Sequence, residues 1–433
     1  MKNMNKKIVQ ISFKDLFGQN FNGHDLQRYF NSIHIDSLQA VMIKESNDRN
    51  TYQFSIWNNS NDFVSNIISY NPWVVHLHLI HCIPYFDISY LPILCSIVPV
   101  VWTIHDLWAV TGHCVHPYTC TKWKKLCYDC QNYEYPIPIV HDNVSISNYS
   151  KKYHIQRSDF TTIVASNFMR DRISRSPIFN NKDINVIPFG VNHDIFHAEP
   201  SCVVRRKLQI PEDELVLFGR TEREHKGLGI LRDLLNGLAE KYNFTFISVG
   251  EKGLLSLNKN IKHLDLGWID NKKLPDYYNA SNLILMPSEC EAFGVMAIEA
   301  MSCGKFVIAL DSNDSALPEV INSPHCGLSV SRNDLINAVN YFIKNRNIIK
   351  EHENKSYEYA KINYNFYSYA NKIYNLYLEA NKKFKYSNDK YLVIDQILKN
   401  FLIDKKEHKN IFYKGGHAKR IINNIIRILQ RRK

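Results

Sequence analysis

The feature that most constrains the fold is an alternation of short apolar segments with stretches of helical periodicity. It runs through the chain in two successive series, and most of the apolar segments end in polar or small residues. Strands that alternate with helices are typical of parallel sheets, so each series predicts one Rossmann-like α/β domain. The predicted strands are residues 7–13, 39–44, 74–79, 98–104, 160–164 and 184–188, then 214–218, 244–249, 261–264, 283–286 and 305–310.

A chain of 433 residues is too long for one ordinary hydrophobic core, which agrees with two domains. We predict an N-terminal Rossmann-like domain over residues 1–192 and a C-terminal one, closed by helices, over residues 193–383. A polar break then precedes a basic amphipathic extension, residues 384–433.

Composition and charge exclude several classes of protein. Hydrophobic residues make up 45% of the chain and charged residues 22%, which argues against a mostly disordered or collagen-like chain. The formal net charge is +11, yet residues 403–433 contribute +8 of it, with ten Lys or Arg against Asp404 and Glu407. The rest of the chain is nearly neutral, which argues against nucleic acid as a partner.

Compartment and processing follow from the apolar runs. No run approaches the roughly 18 uninterrupted apolar residues of a membrane span. The first apolar segment is shorter than a signal-peptide core, so we interpret it as a strand and expect a cytoplasmic protein. The ten cysteines are then not expected to form disulfides.

The most informative segment is residues 286–310, MPSECEAFGVMAIEAMSCGKFVIAL. Glu291 follows a strand, Phe293 and Gly294 open a helix, and Glu299 lies on that helix. The free N–H groups at such a helix start suit a diphosphate, and the carboxylates suit sugar and ribose hydroxyls. For either glutamate alone, an exposed position on an amphipathic helix would be the favoured interpretation.

A second segment, residues 215–228, fits the same ligand. It reads LVLFGRTEREHKGL, in which Gly219 and Arg220 end a strand and Lys226 precedes a helix. A guanidinium and an ammonium across one strand–helix turn can both bind a pyrophosphate and stabilise it as a leaving group. A solvated charged loop is the alternative.

Together these segments resemble the retaining GT-B glycosyltransferases, in the large bacterial polysaccharide-biosynthesis family described as glycosyltransferase family 4-like or group 1. The 286–310 segment carries its Glu-x7-Glu signature. Residues 266–288 are also similar, as are residues 187–196, although Phe189 and Asn192 replace the more usual Asn and Asp. The resemblance implies two facing domains with a deep cleft between them, a nucleotide-sugar donor in the C-terminal domain and an acceptor in the N-terminal domain.

His105 and Asp106 end an apolar strand, where a parallel sheet presents side chains to a ligand. The family has a His here near the transferred sugar, so the resemblance implies that His105 contacts the sugar or the β-phosphate. Asp106 would then bind the acceptor or orient the His, and a helix-capping role for it is equally favoured. The loop after the first strand lacks the Gly-rich turn usual in the family, since Gly18 and Gly23 stand apart.

Four cysteines follow within residues 112–132, the last two as Cys-x2-Cys. Four thiolates can form a closed tetrahedral zinc site of structural type, and four free cysteines are the alternative. Some family members of exopolysaccharide assembly, the colanic-acid type, carry a similar insertion. The predicted ligands are Cys114, Cys120, Cys127 and Cys130.

The last seventeen residues, 417–433, combine an apolar helical face with flanking Lys and Arg. A basic amphipathic helix is typical of a segment that lies on anionic membrane lipid. Such a contact would place the enzyme peripherally on the inner face of the cell membrane, near a lipid-linked acceptor. A helix that packs on a partner subunit or on the protein itself is the alternative.

These patterns favour a retaining hexosyltransferase that moves a hexose from a nucleoside-diphosphate sugar to a saccharide or lipid-linked acceptor. Catalysis is expected to need no cofactor and no metal at the diphosphate, since Arg220, Lys226 and helix amides would supply the positive charge. His105, Asp106 and Glu291 are the expected catalytic residues. A nucleotide-sugar epimerase or phosphorolytic enzyme of the same architecture, and a non-catalytic scaffold protein, are the alternatives.

Overall fold

A computed structural model describes residues 6–16, 18, 21–53, 63–82, 88–132, 142–222 and 226–384. The chain divides into two compact units. Of the described residues, unit 1 comprises those up to 165, residues 169–187 and residues 370–384. Unit 2 comprises residues 166–168 and 188–369.

Unit 1 is built on a parallel sheet of seven strands in the order β3-β2-β1-β4-β5-β6-β7. The central strands are almost wholly apolar because helices cover both faces of such a sheet. Exceptions are Gln10 and His76, which are paired in register on neighbouring strands and fully buried. The strands are β1 (Ile8–Lys14), β2 (Ser37–Ile43), β3 (Thr51–Gln53), β4 (Val74–Leu77), β5 (Val100–Thr103), β6 (Thr161–Val164) and β7 (Ile184–Val186).

Helices connect most consecutive strands, as is usual for parallel pairing, whereas residues 44–50 join β2 to β3 without a helix. The long final helix returns to unit 1, where the ring of Tyr377 packs 6.0 Å from that of Phe30. The helices are α1 (His24–Ser32), α2 (Phe63–Ser69), α3 (Tyr90–Ile97), α4 (Val144–Gln156), α5 (Asn167–Ser174) and, from residue 370 of its range, α13 (Phe366–Lys383).

Unit 2 is built on a parallel sheet of six strands in the order β10-β9-β8-β11-β12-β13. Three of its inner strands are buried along their whole length and mostly apolar, as expected for a sheet covered on both faces. The strands are β8 (Val216–Thr221), β9 (Phe244–Gly250), β10 (Ile261–Asp265), β11 (Leu283–Met286), β12 (Val307–Leu310) and β13 (Gly327–Val330).

The helices of unit 2 bury one apolar face each against this sheet. Leu231, Leu235 and Leu238 recur at helical spacing and are fully buried beside Phe246. Burial of each leucine contributes about 1.5–3 kcal/mol relative to an exposed side chain. The helices are α6 (Ser201–Lys207), α7 (Leu228–Ala239), α8 (Leu274–Ala280), α9 (Val295–Ser302), α10 (Leu317–Val320), α11 (Leu335–Lys344) and α12 (Arg346–Asn363).

The predicted fold class, two Rossmann-like α/β domains with parallel sheets, is confirmed. Two strands went unpredicted: β3 has only three residues, and β13 starts at a glycine. The predicted boundary at 192/193 lies close to the observed division at 187/188. Residues 370–384, however, belong to unit 1 and not to the C-terminal domain, and Tyr377 hydrogen-bonds Gln10 and His76 there.

The predicted basic extension lies outside the described residues, apart from Phe384. Its proposed amphipathic helix, residues 417–433, is therefore untested. Within the described part of the chain, no helix combines the length and apolar character needed to cross a membrane.

Candidate active site

Each sheet reverses its strand order at one point, which is where ligands bind in open α/β sheets. In unit 1 the reversal lies between β1 and β4, and in unit 2 between β8 and β11. The predicted site residues follow the carboxyl ends of strands near these points. The donor candidates follow β8 and β11, whereas His105 follows β5, the neighbour of β4.

Arg220 lies near the end of β8 with its guanidinium partly exposed. Its Nη2 is 2.8 Å from a carboxylate oxygen of Glu222, and its guanidinium carbon lies 5.1 Å from the ring centre of Trp268. The Nε of Arg220 is buried and has no hydrogen-bond partner among the described residues. The neighbouring Gly219 is buried, and a Cβ there would approach the Phe246 ring to 3.2 Å. Gly219 therefore keeps the strand closely packed, and Arg220 offers an unused donor.

Lys226 and Glu291 form an ion pair that joins the two predicted halves of the donor site. The Nζ of Lys226 is 2.8 Å from Oε1 of Glu291, and the two side chains are 15% and 13% exposed. Gly227, with φ +75°, permits the backbone after Lys226 to pass close to Pro287, because a Cβ at that position would lie 2.0 Å from the carbonyl oxygen of Pro287. Only glycine tolerates both the backbone conformation and the contact.

The start of α9 is held by the residues around Gly294. Gly294 has φ +97°, and a Cβ there would lie 2.5 Å from the side chain of Leu317. Phe293 is 4% exposed, and its ring packs 5.2 Å from Phe189 and 5.9 Å from Tyr364. The Phe293 ring therefore fixes the start of the helix from within the core.

Glu299 lies on α9 and is only 6% exposed. The hydroxyl of Tyr278, itself fully buried, donates to Oε2 of Glu299 over 3.0 Å. Burial, followed by the Glu299 charge, holds the pKa of Tyr278 well above its usual range, so the phenol stays a donor. Tyr278 thus fixes the orientation of the carboxylate that the sequence assigns to the nucleotide.

The unit 1 site contains a chain of hydrogen-bonded neutral groups. Gln10 donates from Nε2 to the hydroxyl of Tyr377 over 3.0 Å, and that hydroxyl lies 2.7 Å from Nδ1 of His76. His78 Nε2 lies 2.9 Å from Oε1 of Gln10, and His78 Nδ1 lies 3.3 Å from Nε2 of His105. An amide oxygen only accepts, so neutral His78 donates from Nε2, and His105 donates from Nε2 to His78.

Burial keeps these histidines neutral. It lowers the pKa of His76 to about 3, with His105 adding to the effect, and that of His105 to about 3, with His81 adding. Burial also lowers the pKa of His78 well below its usual range. At neutral pH, His105 is therefore neutral and can act as a hydrogen-bonding group.

Asp106 has two contacts that the sequence did not distinguish. Its Oδ1 accepts from the backbone N–H of Trp108 over 2.8 Å, which caps the short 3₁₀ helix Leu107–Val110. Its Oδ2 lies 3.2 Å from Nε2 of His81, whose ring stacks on that of Trp108. Asp106 is thus both a cap and a partner of a histidine, and that histidine is His81.

The cysteine segment lies next to this region in unit 1. All four of its thiols are free, and burial, followed by the neighbouring thiol of Cys130, raises the pKa of Cys114 to about 12. In the described ranges, no group of three or more His, Cys, Asp or Glu side chains is placed so that it could hold a metal ion as it stands. The predicted zinc ligation is therefore not shown.

The structure brings Lys226 and Glu291 together, and it joins His105 to His78. Sequence reasoning missed Gln10, Tyr377 and Tyr278, which orient the predicted residues. A signal existed for Gln10, a polar residue inside an otherwise apolar strand. The two tyrosines lie far along the chain from their partners and gave no local signal.

Comparison with known families gives one match. Residues 203–362 match the family "Glycosyl transferases group 1". An uncharacterized 41.2 kDa protein in the cps region of Klebsiella pneumoniae is 33% identical over 130 residues, which is 30% of this chain and 35% of that protein. The chain therefore matches only about a third of the length of this curated relative.

Solved structures resemble the chain over much more of its length. Sucrose-phosphate synthase from Thermosynechococcus elongatus has a TM-score of 0.67 at 18% identity, over 86% of this chain and 98% of its own. Anabaena Alr3699/HepE, solved with UDP and glucose, has a TM-score of 0.62 at 15% identity over the same shares. Residues 203–362 thus match a glycosyl transferases group 1 domain, and the parallel-sheet fold of each unit matches that of these GT-B structures.

Proposed function

We propose that this protein is a retaining glycosyltransferase. It transfers a hexose from a nucleoside-diphosphate sugar to a saccharide or lipid-linked acceptor in surface polysaccharide biosynthesis. Unit 2 binds the donor and unit 1 binds the acceptor. UDP-glucose is the first donor to test, because the solved structures of HepE include its complex with that nucleotide sugar.

One observation carries the proposal: the 2.8 Å ion pair between Lys226 and Glu291. Two segments about 65 residues apart, each predicted separately to bind one ligand, meet at this pair. The Lys226 ammonium, paired with a carboxylate while no donor is bound, can exchange that partner for a phosphate oxygen. Arg220 lies near the end of the adjacent strand β8 with a buried Nε donor to offer.

The chemistry assigned to these residues is electrostatic. Negative charge develops on the diphosphate as the bond between the sugar C1 and the phosphate oxygen breaks. Arg220 and Lys226 stabilise that charge at fixed positions, which is the largest single contribution in many enzymes. The new bond forms between C1 and the acceptor oxygen on the same face, and the acceptor proton passes to the leaving phosphate.

The carboxylates and the histidine position the sugar nucleotide. Glu299, held by Tyr278, accepts hydrogen bonds from the ribose, and Glu291 accepts from the sugar hydroxyls once Lys226 turns to the phosphate. His105 stays neutral and hydrogen-bonds the sugar or the β-phosphate. Asp106, paired with His81, contacts the acceptor. No divalent metal is needed at the diphosphate in this proposal.

A lipid-linked acceptor would place the enzyme at the inner face of the membrane. The basic segment 417–433, outside the described residues, is then the contact with anionic lipid, and the rest of the protein stays in the cytoplasm. This part of the proposal depends on the sequence pattern alone.

The test is product analysis with a panel of nucleoside-diphosphate sugars, with and without lipid extract from membranes. We expect nucleoside-diphosphate release that depends on acceptor, and a product whose anomeric configuration, read from the C1–H1 signals by NMR, matches that of the donor. Inversion at C1 would contradict the retaining mechanism. Epimerised donor without transfer would contradict transfer itself, and the absence of any turnover with every donor would favour a binding protein.

A further inference from the structure

The cysteine segment of unit 1 has one contact set that neither the donor nor the acceptor proposal uses. The Nε2 of His113 lies 3.5 Å from the sulfur of Cys114 and 3.5 Å from the sulfur of Cys130. The backbone N–H of Gly112 donates to the sulfur of Cys127 over 3.2 Å. One imidazole nitrogen therefore lies between two thiols. The sulfur of Cys127 accepts a hydrogen bond from Gly112, the residue before His113.

The two 3.5 Å distances have the length of a ligand–ligand edge in a zinc site. With Zn–S of about 2.3 Å and Zn–N of about 2.0–2.1 Å, tetrahedral geometry places sulfur and nitrogen about 3.5–3.6 Å apart. Because no described group encloses a metal position as it stands, the thiols must turn about their Cα–Cβ bonds to close the site. Such adjustment on metal binding is usual, since binding and local ordering are coupled.

The backbone around these ligands is held by α4. Ser147 donates to the carbonyl of Gly112 over 2.6 Å. Asn148 bridges the two parts of the segment, donating to the carbonyl of Val110 over 3.0 Å and accepting from the N–H of Cys127 over 2.7 Å. These contacts order the segment through its backbone.

Lys151 extends the same support. Its ammonium donates to the carbonyls of Trp108 and Thr111 over 2.8 and 2.9 Å, and it lies 3.7 Å from the centre of the Trp108 ring. The fully buried Trp123 donates to the carbonyl of Cys120 over 2.9 Å, which fixes the turn between the thiols. Hydrogen bonds therefore hold the backbone before Cys114 and at Cys120.

Two features distinguish His113 from Cys120 as the fourth ligand. His113 is buried with its Nε2 beside two thiols, whereas the thiol-bearing residue Cys120 is exposed. Cys127 and Cys130 have the Cys-x2-Cys spacing of structural zinc sites, and the N–H bond to Cys127 is of the kind that stabilises a thiolate.

We propose that His113, Cys114, Cys127 and Cys130 bind one zinc ion in a closed structural site. Cys120 is not a ligand. Four protein ligands leave no open position, so the ion fixes the segment after His105 and Asp106 and takes no part in chemistry. This set replaces one of the four thiols predicted from the sequence with a histidine.

The experiment measures metal content and metal-site spectra on the full chain, purified under reducing conditions and dialysed against a weak chelator. We expect about one zinc per chain. Exchange for Co²⁺ should give the visible bands of tetrahedral cobalt and a thiolate charge-transfer band. Cys130→Ser and His113→Ala should lose the metal, Cys120→Ser should keep it with an unchanged cobalt spectrum, and His113→Cys should restore binding.

Circular dichroism of each variant, with its urea midpoint, separates loss of the site from loss of the fold. Wild-type protein with no stoichiometric zinc would overturn the proposal, and so would disulfides between these cysteines in the reduced preparation. Zinc lost in Cys120→Ser but kept in His113→Ala would also overturn it, in favour of the four-thiol set. None of these outcomes depends on the glycosyltransferase proposal, because no activity is measured.

Discussion

The two candidate regions differ in how their polar groups are satisfied. In unit 2 the groups are charged and paired with each other, as Lys226 is with Glu291 and Arg220 with Glu222. In unit 1 they are neutral, and Gln10 and Tyr377 link His76 to His78 and His105 in one hydrogen-bonded chain. A charged pair can exchange a carboxylate for a phosphate, whereas a neutral chain holds one geometry.

We infer that the proposed donor region can change its ion pairs when a charged ligand binds, whereas the histidine region keeps one geometry. The Lys226–Glu291 pair is mostly buried, so breaking it is unfavourable unless a new partner such as a phosphate compensates the lysine charge. Buried neutral histidines resist protonation, and protonating them lowers the free energy of unfolding.

The largest effect should come from Lys226→Ala and Arg220→Ala. Removing one preorganised donor from a developing oxyanion typically lowers the rate by about 10²–10³-fold, and we expect a fall of that order in kcat/KM. The measurement is steady-state release of nucleoside diphosphate. Arg232→Ala is the matched control, since Arg232 lies exposed on α7 beside Asp233, and it should leave kcat/KM unchanged. Equal activity in all three variants would contradict the charged-site account.

Glu299→Ala should weaken donor binding next most strongly. A hydrogen bond to a charged group contributes about 1.5–3 kcal/mol, which corresponds to a loss of affinity of roughly 10–150-fold. Glu299→Gln keeps the shape and one acceptor oxygen and should lose less. Donor Kd is measured by calorimetry, and the melting temperature shows whether the buried position still packs. Unchanged Kd in a folded Glu299→Ala protein would remove Glu299 from the site.

The neutral chain predicts a loss of stability in acid. The pKa of His76 falls from about 6.5 when unfolded to about 3 when folded, so between these values the unfolded state binds the extra proton. The stabilising contribution is complete above pH 6.5 and is lost as the pH falls towards 3, at about 1.4 kcal/mol per pH unit for each such histidine.

The measurement is the free energy of unfolding in urea from pH 7 to 4.5. Its slope against pH should be shallower in His76→Gln than in wild type, because glutamine does not titrate. An identical slope in the two proteins would show that His76 is not held neutral.

The smallest effect should come from His105. As a neutral hydrogen-bond partner it contributes about 0.5–1.5 kcal/mol, so His105→Ala should lower kcat/KM about 2–13-fold. His105→Asn, which keeps a neutral polar group, should retain more activity than His105→Ala. A thousand-fold loss in both variants, with a pH profile that loses its acid limb, would instead make His105 a proton-transfer residue.

Much of the fold followed from the sequence because the pattern is local. Many strands of both parallel sheets are largely apolar segments, and the glycines that open α7 and α9 mark loops where side chains would clash. The pairing of Lys226 with Glu291 was expected only as a shared ligand, and the direct contact needed the close approach of Gly227 to Pro287.

The rest required tertiary contacts that no local pattern records. Tyr377 reaches His76 across 301 residues of sequence, and Tyr278 reaches Glu299 from another helix. The proposed ligand His113 stands outside the Cys-x2-Cys pattern, and the four clustered cysteines predicted sulfur ligands alone. Side chains that orient other side chains are set by packing, which sequence spacing does not show.

The central claim is that unit 2 binds a nucleoside-diphosphate sugar through Lys226 and Arg220. The most direct measurement is calorimetric titration of the full chain with UDP-glucose and other nucleoside-diphosphate sugars, in the wild type, in the two alanine variants of these residues and in Arg232→Ala. We expect at least one donor to bind wild type and Arg232→Ala with equal affinity. The same donor should bind Lys226→Ala and Arg220→Ala far more weakly. Binding of no donor to the folded wild type, or equal binding to all four proteins, would contradict it.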